Sequence, residues 1–143
     1  MPTDTKTTRP LPIWDRDTAG FWEAARRHVL AVQTCRRCGA ASFPPWPSCR
    51  NCSSLEMAWT ASVGRGTVFT WTTVYRSTRP EFADDVPFTL AVVELADFPV
   101  LVPARLRGVA PLATKIGTPV EARFEDVTPE VSLLYWVVDD GHS

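Results

Sequence analysis

Three features of the 143-residue sequence predict a mainly β protein that begins with one helix and a cysteine-rich ribbon. A single apolar pattern of helical period lies near the N-terminus. All four cysteines follow it, as two C-x-x-C pairs between Cys35 and Cys52. From Met57 onward the apolar residues alternate with polar ones, which is the period of a β-strand. We therefore expect a helix and a metal-binding ribbon followed by a small Greek-key barrel, for which the five-stranded OB-fold barrel fits best and a flat sandwich is the alternative.

The helical pattern begins at Asp17 or Thr18, either of which can cap a helix that runs to about Leu30. Phe21 and Trp22 open its apolar stripe, and charged residues occupy the opposite side. Such an aromatic pair usually belongs to a core, but the core available to a short ribbon is small. The pair is therefore also a candidate to pack against the metal module or against a partner.

The two C-x-x-C pairs supply four thiolates, which is the ligand number of a closed structural zinc site. The predicted ligands are Cys35, Cys38, Cys49 and Cys52. Beside them lie Arg36, Arg37 and Arg50, whose charges would partly offset those of the thiolates. Because four cysteines leave no open position for a substrate, we expect the zinc to be structural. Iron in a rubredoxin-like site and disulfide bonds are the alternatives, although no secretory signal indicates an oxidising compartment.

The sequence predicts two short strands in the hairpin of the zinc ribbon and then six further strands, of which five or six form the barrel. In order they are 31–34, 41–43, 57–61, 67–75, 88–95, 100–107, 120–127 and 131–138. The long strand follows a Gly64-Arg65-Gly66 break, where glycine permits the close approach and coiling that a barrel needs. Phe69, Trp71 and Tyr75 are predicted to lie on one face of that strand.

Composition narrows the functional classes. A net charge of −1 argues against a nucleic-acid-binding protein, since such domains are usually strongly basic. No segment is long and apolar enough to cross a membrane, and no signal peptide is recognisable, so we expect a cytoplasmic protein.

The predicted boundaries are a disordered tail at 1–12, the helix and zinc ribbon at 13–60, the OB-fold domain at 61–139 and a frayed end at 140–143.

No residues in the sequence have the pattern of a catalytic site. His28 lies on the predicted helix without a paired acid, and no serine has the setting of a nucleophile elbow. Gly64-Arg65-Gly66 lacks the rest of a nucleotide-binding fingerprint. We therefore expect no catalytic residue in this chain.

Several short motifs, taken together and in order, resemble the DUF35 family over residues 14–138. They are Phe21-Trp22-Glu23-Ala24, Gln33-x-Cys35-x-x-Cys38-Gly39, Phe43-Pro44-Pro45, Cys49-x-x-Cys52, Gly64-Arg65-Gly66-Thr67-Val68, Pro87-Phe88 and Ile116-Gly117-x-Pro119-Val120. The sequence departs from the family pattern at Trp46 and Arg50, where members often carry arginine and proline. The resemblance implies a rubredoxin-like zinc ribbon followed by an OB fold.

The resemblance also implies an accessory role in acyl-CoA chemistry. Proteins of this family resemble partners of thiolase-superfamily enzymes, including lipid-transfer-type thiolases and steroid side-chain aldolases, and some are fused to a hydratase domain. The implied assembly is a hetero-oligomer in which this chain is a required subunit of a thiolase-like lyase or transferase and is not catalytic alone. Because few residues precede the predicted helix, we expect a free-standing subunit.

Two groups of residues are candidates for this role. Arginines and aromatic rings that could hold CoA are predicted on one side of the barrel, at Arg65, Trp71, Tyr75, Arg76 and Arg79. A partner interface, with acyl-CoA at or near it, is predicted at the proline-braced Trp46 and the apolar last strand, at Leu133, Leu134, Tyr135 and Trp136. The alternative for the aromatic residues of the long strand is that they are buried in the barrel core. The alternative for Trp46 is that it only covers the zinc site.

The rival hypothesis is a single-stranded nucleic-acid-binding module. Zinc ribbons and OB barrels both occur in such proteins, and aromatic residues on a strand can stack on bases. The net negative charge of the chain opposes this hypothesis.

Overall fold

The computed structural model describes residues 10–139, so the predicted end at 140–143 and most of the predicted tail at 1–12 lie outside the described residues. One helix and eight strands make up the regular structure of the described part. In chain order they are α1 (Ala19–Arg26), β1 (Ala31–Cys35), β2 (Ala41–Ser42), β3 (Met57–Ala61), β4 (Arg65–Val74), β5 (Phe88–Leu95), β6 (Leu101–Arg107), β7 (Pro119–Asp126) and β8 (Ser132–Val138). Short 3-10 turns occur at Pro80–Phe82 and Pro111–Ala113.

The strands form two sheets, which confirms the predicted fold class. The ribbon sheet has the order β2-β1-β3 and is antiparallel throughout. The other five strands close into a barrel of order β4-β5-β6-β8-β7. The β6–β8 pair is parallel and the other pairs are antiparallel, so the last strand inserts between its predecessors and closes the sheet. This is a five-stranded Greek-key barrel of the OB type.

The helix is shorter than its apolar pattern predicted. It ends at Arg26, because His28 adopts a left-handed backbone conformation with φ of 60°. The amides of His28 and Val29 donate to the carbonyls of Ala25 and Ala24, which is the hydrogen-bond pattern of a Schellman motif. The chain therefore turns before Leu30, and the Leu30 side chain enters the core instead of extending the helix.

The prediction that Phe69, Trp71 and Tyr75 lie on one face of the strand is wrong. The register between β4 and β5 shifts between Val68 and Thr70, which is a β-bulge. A bulge adds one residue to one strand, so the side chains beyond it change sides of the sheet. Phe69 is therefore 52% exposed while Trp71 packs on the core, and Tyr75 lies beyond the end of β4.

One apolar core connects the ribbon to the barrel. Leu30 and Val32, which lead into and lie on β1, share a buried cluster with barrel residues such as Val93, Val102 and Trp136. The ribbon is thus attached by packing and not only by the chain. Among residues 10–139, no helix is long and apolar enough to span a membrane.

Two glycines permit close contacts that a side chain would prevent. A Cβ atom at Gly66 would lie 2.2 Å from the carbonyl oxygen of Glu94, so glycine lets β4 coil against β5, as the Gly-x-Gly break predicted. A Cβ atom at Gly20 would lie 2.1 Å from Nε1 of Trp59. This second contact holds α1 against β3, and nothing in the local sequence pattern indicated it.

Candidate functional site

The four cysteines converge at the end of the ribbon. Their sulfur atoms all lie within 4.8 Å of one another. Cys35 and Cys52 are 3.6 Å apart, as are Cys38 and Cys49. A tetrahedral ion with metal–sulfur bonds of about 2.3 Å would hold its sulfurs about 3.8 Å apart. The arrangement therefore fits a metal with four thiolate ligands.

Two similar turns position these sulfurs. In the first turn the amide of Gly39 donates to the carbonyl of Cys35, and Gly39 has a φ of 79°. In the second turn Ser53 takes the equivalent position, with a φ of 65° and its amide donating to the carbonyl of Cys49. Gly39 readily adopts the positive φ that this turn needs, whereas Ser53 carries no sequence signal for positive φ.

Backbone amides donate to the sulfurs. Cys35 Sγ accepts from the amides of Arg37 and Cys38, at 3.4 and 3.5 Å. Cys49 Sγ accepts from the amides two and three residues further on, at 3.3 and 3.4 Å. The side-chain amide of Asn51 donates to Cys38 Sγ, and with the amide of Ala40 it lowers the pKa of Cys38 to about 6. Such donors stabilise the thiolate forms that a metal requires.

Trp46 is held at the edge of this centre by a buried glutamine. Gln33 is 4% exposed, and its side-chain amide donates to the carbonyl of Trp46 while its oxygen accepts from the Trp46 amide, at 2.7 and 2.9 Å. The Trp46 ring remains 44% exposed, and the guanidinium of Arg50 lies 4.8 Å from its centroid. Trp46 is therefore presented rigidly at the surface. Sequence reasoning did not identify the role of Gln33, because the two residues are joined only in the folded hairpin.

An open apolar groove of about 370 Å³ lies between the ribbon and the barrel. Its walls come from the segment before α1, from α1 and the ribbon, and from β6 and β8. They are Pro10, Leu11, Phe21, Trp22, Phe43, Phe82, Pro103, Ala104, Arg105, Arg107, Leu133, Leu134 and Tyr135. The size and apolar lining are typical of a binding groove.

Aromatic contacts order the ribbon side of the groove. The Phe21 ring meets Trp22 edge-on at 4.9 Å between centroids and meets Phe43 at 5.6 Å. Trp14 lies 6.4 Å from Trp22 and is 40% exposed. The aromatic pair of the helix therefore packs within the ribbon and also faces the groove.

The barrel side of the groove carries two ordered arginines. Arg105 lies 4.1 Å from the centroid of Phe88 and bonds to Asp85 at 3.3 Å. Arg107 lies 4.1 Å from the centroid of Tyr135 and bonds to Glu125 at 2.6 Å. Since each guanidinium has a carboxylate partner, the groove is lined by apolar surface and neutralised charge.

The predicted interface residues of the last strand fall into two classes. Leu133, Leu134 and Tyr135 line the groove. Trp136 is fully buried and belongs to the barrel core, so it is not available at a surface of the folded chain. The physical reason is the alternation of a strand, which turns Trp136 inward between Leu106 and Ala122.

Arg65 lies apart from the other residues that were predicted to hold CoA. Arg65 begins β4 and Tyr75 follows its end, about 30 Å away at the rise of a strand. Trp71 packs on the core, and Arg79 is paired with Glu81 at 3.3 Å. Arg76 is exposed beyond the strand, and none of the five lines the groove.

A polar link joins the end of α1 to the barrel. His28 Nε2 lies 2.8 Å from Asp126 Oδ1, and the Ser132 hydroxyl donates to the same oxygen at 2.5 Å. The His28 ring stacks on Phe124 at 5.7 Å. The serine contacts the carboxylate and not the imidazole, so this order of contacts does not activate the hydroxyl as a nucleophile. The Ser132 and His28 hydrogen bonds lower the pKa of Asp126.

Comparison with known proteins gives consistent matches along the chain. The family profile described as the ChsH2 rubredoxin-like zinc ribbon domain matches residues 22–58, and the profile of the ChsH2 C-terminal OB-fold domain matches residues 59–125. In structure, the chain is similar to a chain of the Ltp2–ChsH2(DUF35) aldolase, with a TM-score of 0.81 and 30% identity over 89% of this chain and 98% of that one. A DUF35 protein of unknown function from Sulfolobus solfataricus shares the fold, with a TM-score of 0.58 and 15% identity over 87% of this chain and 86% of that one.

Two curated relatives are longer proteins. The chain is 34% identical to the probable enoyl-CoA hydratase alpha subunit of Thermomonospora curvata, over 90% of its own length. It is 36% identical to the 3-oxo-4,17-pregnadiene-20-carboxyl-CoA hydratase alpha subunit of Mycobacterium tuberculosis, again over 90%. The chain spans 39% and 40% of these two proteins.

Proposed function

The chain belongs to the ChsH2 family of DUF35 proteins, with its rubredoxin-like zinc ribbon and OB fold, and on this premise we propose that it is a non-catalytic accessory subunit. Its partner is a thiolase-superfamily enzyme or aldolase that acts on acyl-CoA substrates, including intermediates of steroid side-chain degradation. The relative named as part of an aldolase supports this class of partner, and the two relatives named as hydratase subunits for CoA compounds support this class of substrate.

The observation that carries the proposal is the apolar groove between ribbon and barrel. Leu133 and Tyr135 alternate with the buried Trp136 along β8 and line this groove together with Trp22. Hydrophobic surface that is left open in the folded chain is typical of a protein contact. We place an apolar segment of the partner enzyme in this groove, with Arg105 and Arg107 at the polar rim.

The test is reconstitution with a thiolase-superfamily partner that co-purifies with the chain from its native host. Tyr135→Asp or Leu133→Asp should weaken the complex by about tenfold or more, since a charge in a desolvated contact is costly. Phe69→Asp is the matched control, because Phe69 is exposed on the barrel but does not line the groove. Equal weakening by all three variants, or no thiolase-like protein among the co-purified chains, would contradict the proposal. Circular dichroism of each variant excludes unfolding as the cause.

The ribbon is proposed to hold Zn²⁺ as a structural ion. Cys35, Cys38, Cys49 and Cys52 have the spacing and the amide donors of a tetrathiolate site, and they leave no position open for a substrate. Bound zinc would cross-link the two turns of the ribbon. Metal analysis of the purified chain should find one zinc per chain, whereas the visible absorption of a ferric tetrathiolate would support the iron alternative.

Acyl-CoA is proposed to lie at or near the interface that this chain shares with its partner. The separation of Arg65 from Tyr75 along β4 gives no support to a complete CoA site on this chain alone. Calorimetric titration of CoA should therefore give binding to the complex and little or none to the isolated chain. A flat titration of both would contradict any contact with CoA.

A further inference from the structure

Charge is segregated between the two parts of the molecule. Residues 24–55 contain five arginines and no aspartate or glutamate. Residues 61–139 contain ten acidic and seven basic side chains. The stretch between Glu23 and Glu56 is thus locally basic in a chain whose net charge is −1, and this asymmetry is concealed by the overall composition.

The arginines of the two parts also differ in their partners. Four barrel arginines form ion pairs at 3.3 Å or less, and these are Arg79, Arg105, Arg107 and Arg123. Among residues 10–139, none of the ion pairs involves Arg36, Arg37 or Arg50, and all three residues are exposed. Each guanidinium therefore presents N–H donors to the solvent, in a geometry that matches a carboxylate.

In the described part of the chain, these arginine side chains donate no hydrogen bond to the cysteine sulfurs. Within the described part of the chain, the donors to the cysteine sulfurs are backbone amides and the side chain of Asn51. No guanidinium is among them. The arginines can still offset the charge of the thiolates at longer range, so an experiment must separate that role from binding.

The arginines lie in the two C-x-x-C turns, whose sulfur atoms are within 4.8 Å of one another, and Trp46 contacts Arg50 of the second turn. Trp46 is held at its backbone by Gln33 and is half-exposed, with the Arg50 guanidinium against its ring. An open cleft of about 500 Å³ separates this pair from the barrel segment 99–101. Tryptophan and arginine are enriched among the residues that dominate protein interfaces, because they bury a large area at a small cost in conformational entropy.

We propose that this surface, defined as the basic tip (Arg36, Arg37, Trp46 and Arg50), docks onto a carboxylate-rich patch of the partner subunit. The inference rests on the proposed function, because it assumes a protein partner. Charge complementarity at such a surface raises the association rate and fixes orientation. The basic tip and the groove would then form two separate contacts, one electrostatic and one apolar.

A protein fits this surface better than a nucleic acid. A single strand bound across the OB face would meet a barrel with an excess of acidic side chains. Arg50 also lies against the Trp46 ring, which reduces the area open to a stacked base. The basic tip is short, and a patch of a few carboxylates matches its extent.

The test compares two triple variants of the metal-loaded full chain. The tip variant carries Arg36→Glu, Arg37→Glu and Arg50→Glu. The control variant carries Arg65→Glu, Arg76→Glu and Lys115→Glu, three exposed basic residues of the barrel part. Both variants change the net charge by the same amount, so any difference between them reports position and not total charge.

Binding is measured at low ionic strength with two probes, fluorescent poly-L-glutamate and an oligo-dT single strand. The wild-type chain should bind poly-L-glutamate more tightly than oligo-dT, with strong weakening by salt. The tip variant should lose about tenfold in affinity for poly-L-glutamate and the control variant about twofold or less. The tryptophan fluorescence of the wild-type chain should change on binding, and because the chain has six tryptophans, loss of this change in Trp46→Phe would assign it to Trp46.

Three outcomes would overturn the inference. Equal loss in both variants would show that only net charge matters, and tighter binding of oligo-dT would favour a nucleic-acid surface. Loss of the metal from the tip variant, measured in the same samples, would show that the arginines serve the metal centre. Because these probes do not require the partner enzyme, failure here is distinguishable from failure of the reconstitution that tests the proposed function.

Discussion

The ribbon and the barrel of this protein differ in the interactions that hold their residues in place. The barrel is a closed sheet whose side chains surround Val93, Val102 and Trp136, and four of its arginines are paired with carboxylates. The ribbon has strands of five residues or fewer, and its outer end consists of two turns around four sulfurs. The barrel therefore has an apolar core of its own, whereas the outer ribbon brings four sulfurs together in place of one, and we expect it to depend on a metal cross-link.

The largest expected effect is loss of the ribbon's order without metal. Chelation, or Cys38→Ser, should unfold the turns around the cysteines, because metal binding to such sites contributes on the order of 10 kcal/mol of folding free energy. Hydrogen exchange should show rapid exchange at the amides of Gly39 and Ser53 while those of β5 stay protected. Protection of the ribbon turns in the metal-free chain would refute the difference between the two regions.

A smaller effect, confined to the barrel, is expected from Trp136→Ala. Trp136 is fully buried, so the cavity should cost about 3–5 kcal/mol of unfolding free energy. Tyr135→Ala is the neighbouring control, since Tyr135 is only half-buried and lines the groove. Denaturant unfolding of both variants makes the comparison, and equal losses would contradict the inward placement of Trp136.

Gly20→Ala tests how the helix is attached to the ribbon sheet. Alanine favours an isolated helix by about 1 kcal/mol, but here its methyl group would meet the Trp59 indole. We expect a net destabilisation of about 1–3 kcal/mol from this overpacking. The double variant Gly20→Ala with Trp59→Val should be less destabilised than the sum of the two single changes. Thermal unfolding measures all three, and a stabilised Gly20→Ala chain would show that the contact relaxes freely.

The smallest effect concerns the link between His28 and the barrel. Because the pKa of Asp126 is lowered in the folded chain, the carboxylate stabilises the fold above its unfolded pKa of about 3.9. This stability is lost as the pH falls through the lowered folded pKa. The residue is exposed, so the effect should be small. The difference in unfolding free energy between the wild-type chain and Asp126→Asn should therefore be present at neutral pH and shrink in acid, and a constant difference would contradict the assignment.

Local patterns predicted much of the fold. The bounds of β3 and β5 agree with the predicted strands 57–61 and 88–95, because alternation and the flanking turns are properties of adjacent residues. The end of the helix was missed, since His28 replaces the glycine that usually marks a left-handed cap. The bulge at Phe69 was also missed, because register is decided by the neighbouring strand.

The candidate site also has features that the sequence predicted and features that it did not. The four converging cysteines were readable from spacing alone, because each pair lies within one turn of chain. The groove could not be predicted from spacing, because its walls come from parts of the chain that are distant in sequence. Phe21 and Phe43 line it from the ribbon, and Leu133 and Tyr135 line it from the last strand. The two hydrogen bonds between the Gln33 side chain and the Trp46 backbone likewise join residues that meet only in the folded hairpin.

The sequence by itself determined the four cysteines of the ribbon, the alternation that makes the barrel and the run of arginines without acidic residues between Glu23 and Glu56, because all three depend on which residues are near one another in the chain. The tertiary structure decided which of those residues remain accessible. It turned Trp136 into the core, left Tyr135 in a groove and placed Trp46 and Arg50 together at the surface. The physical reason is that burial, register and surface position depend on partners distant in sequence, whose contacts exist only after the barrel closes and the ribbon packs against it.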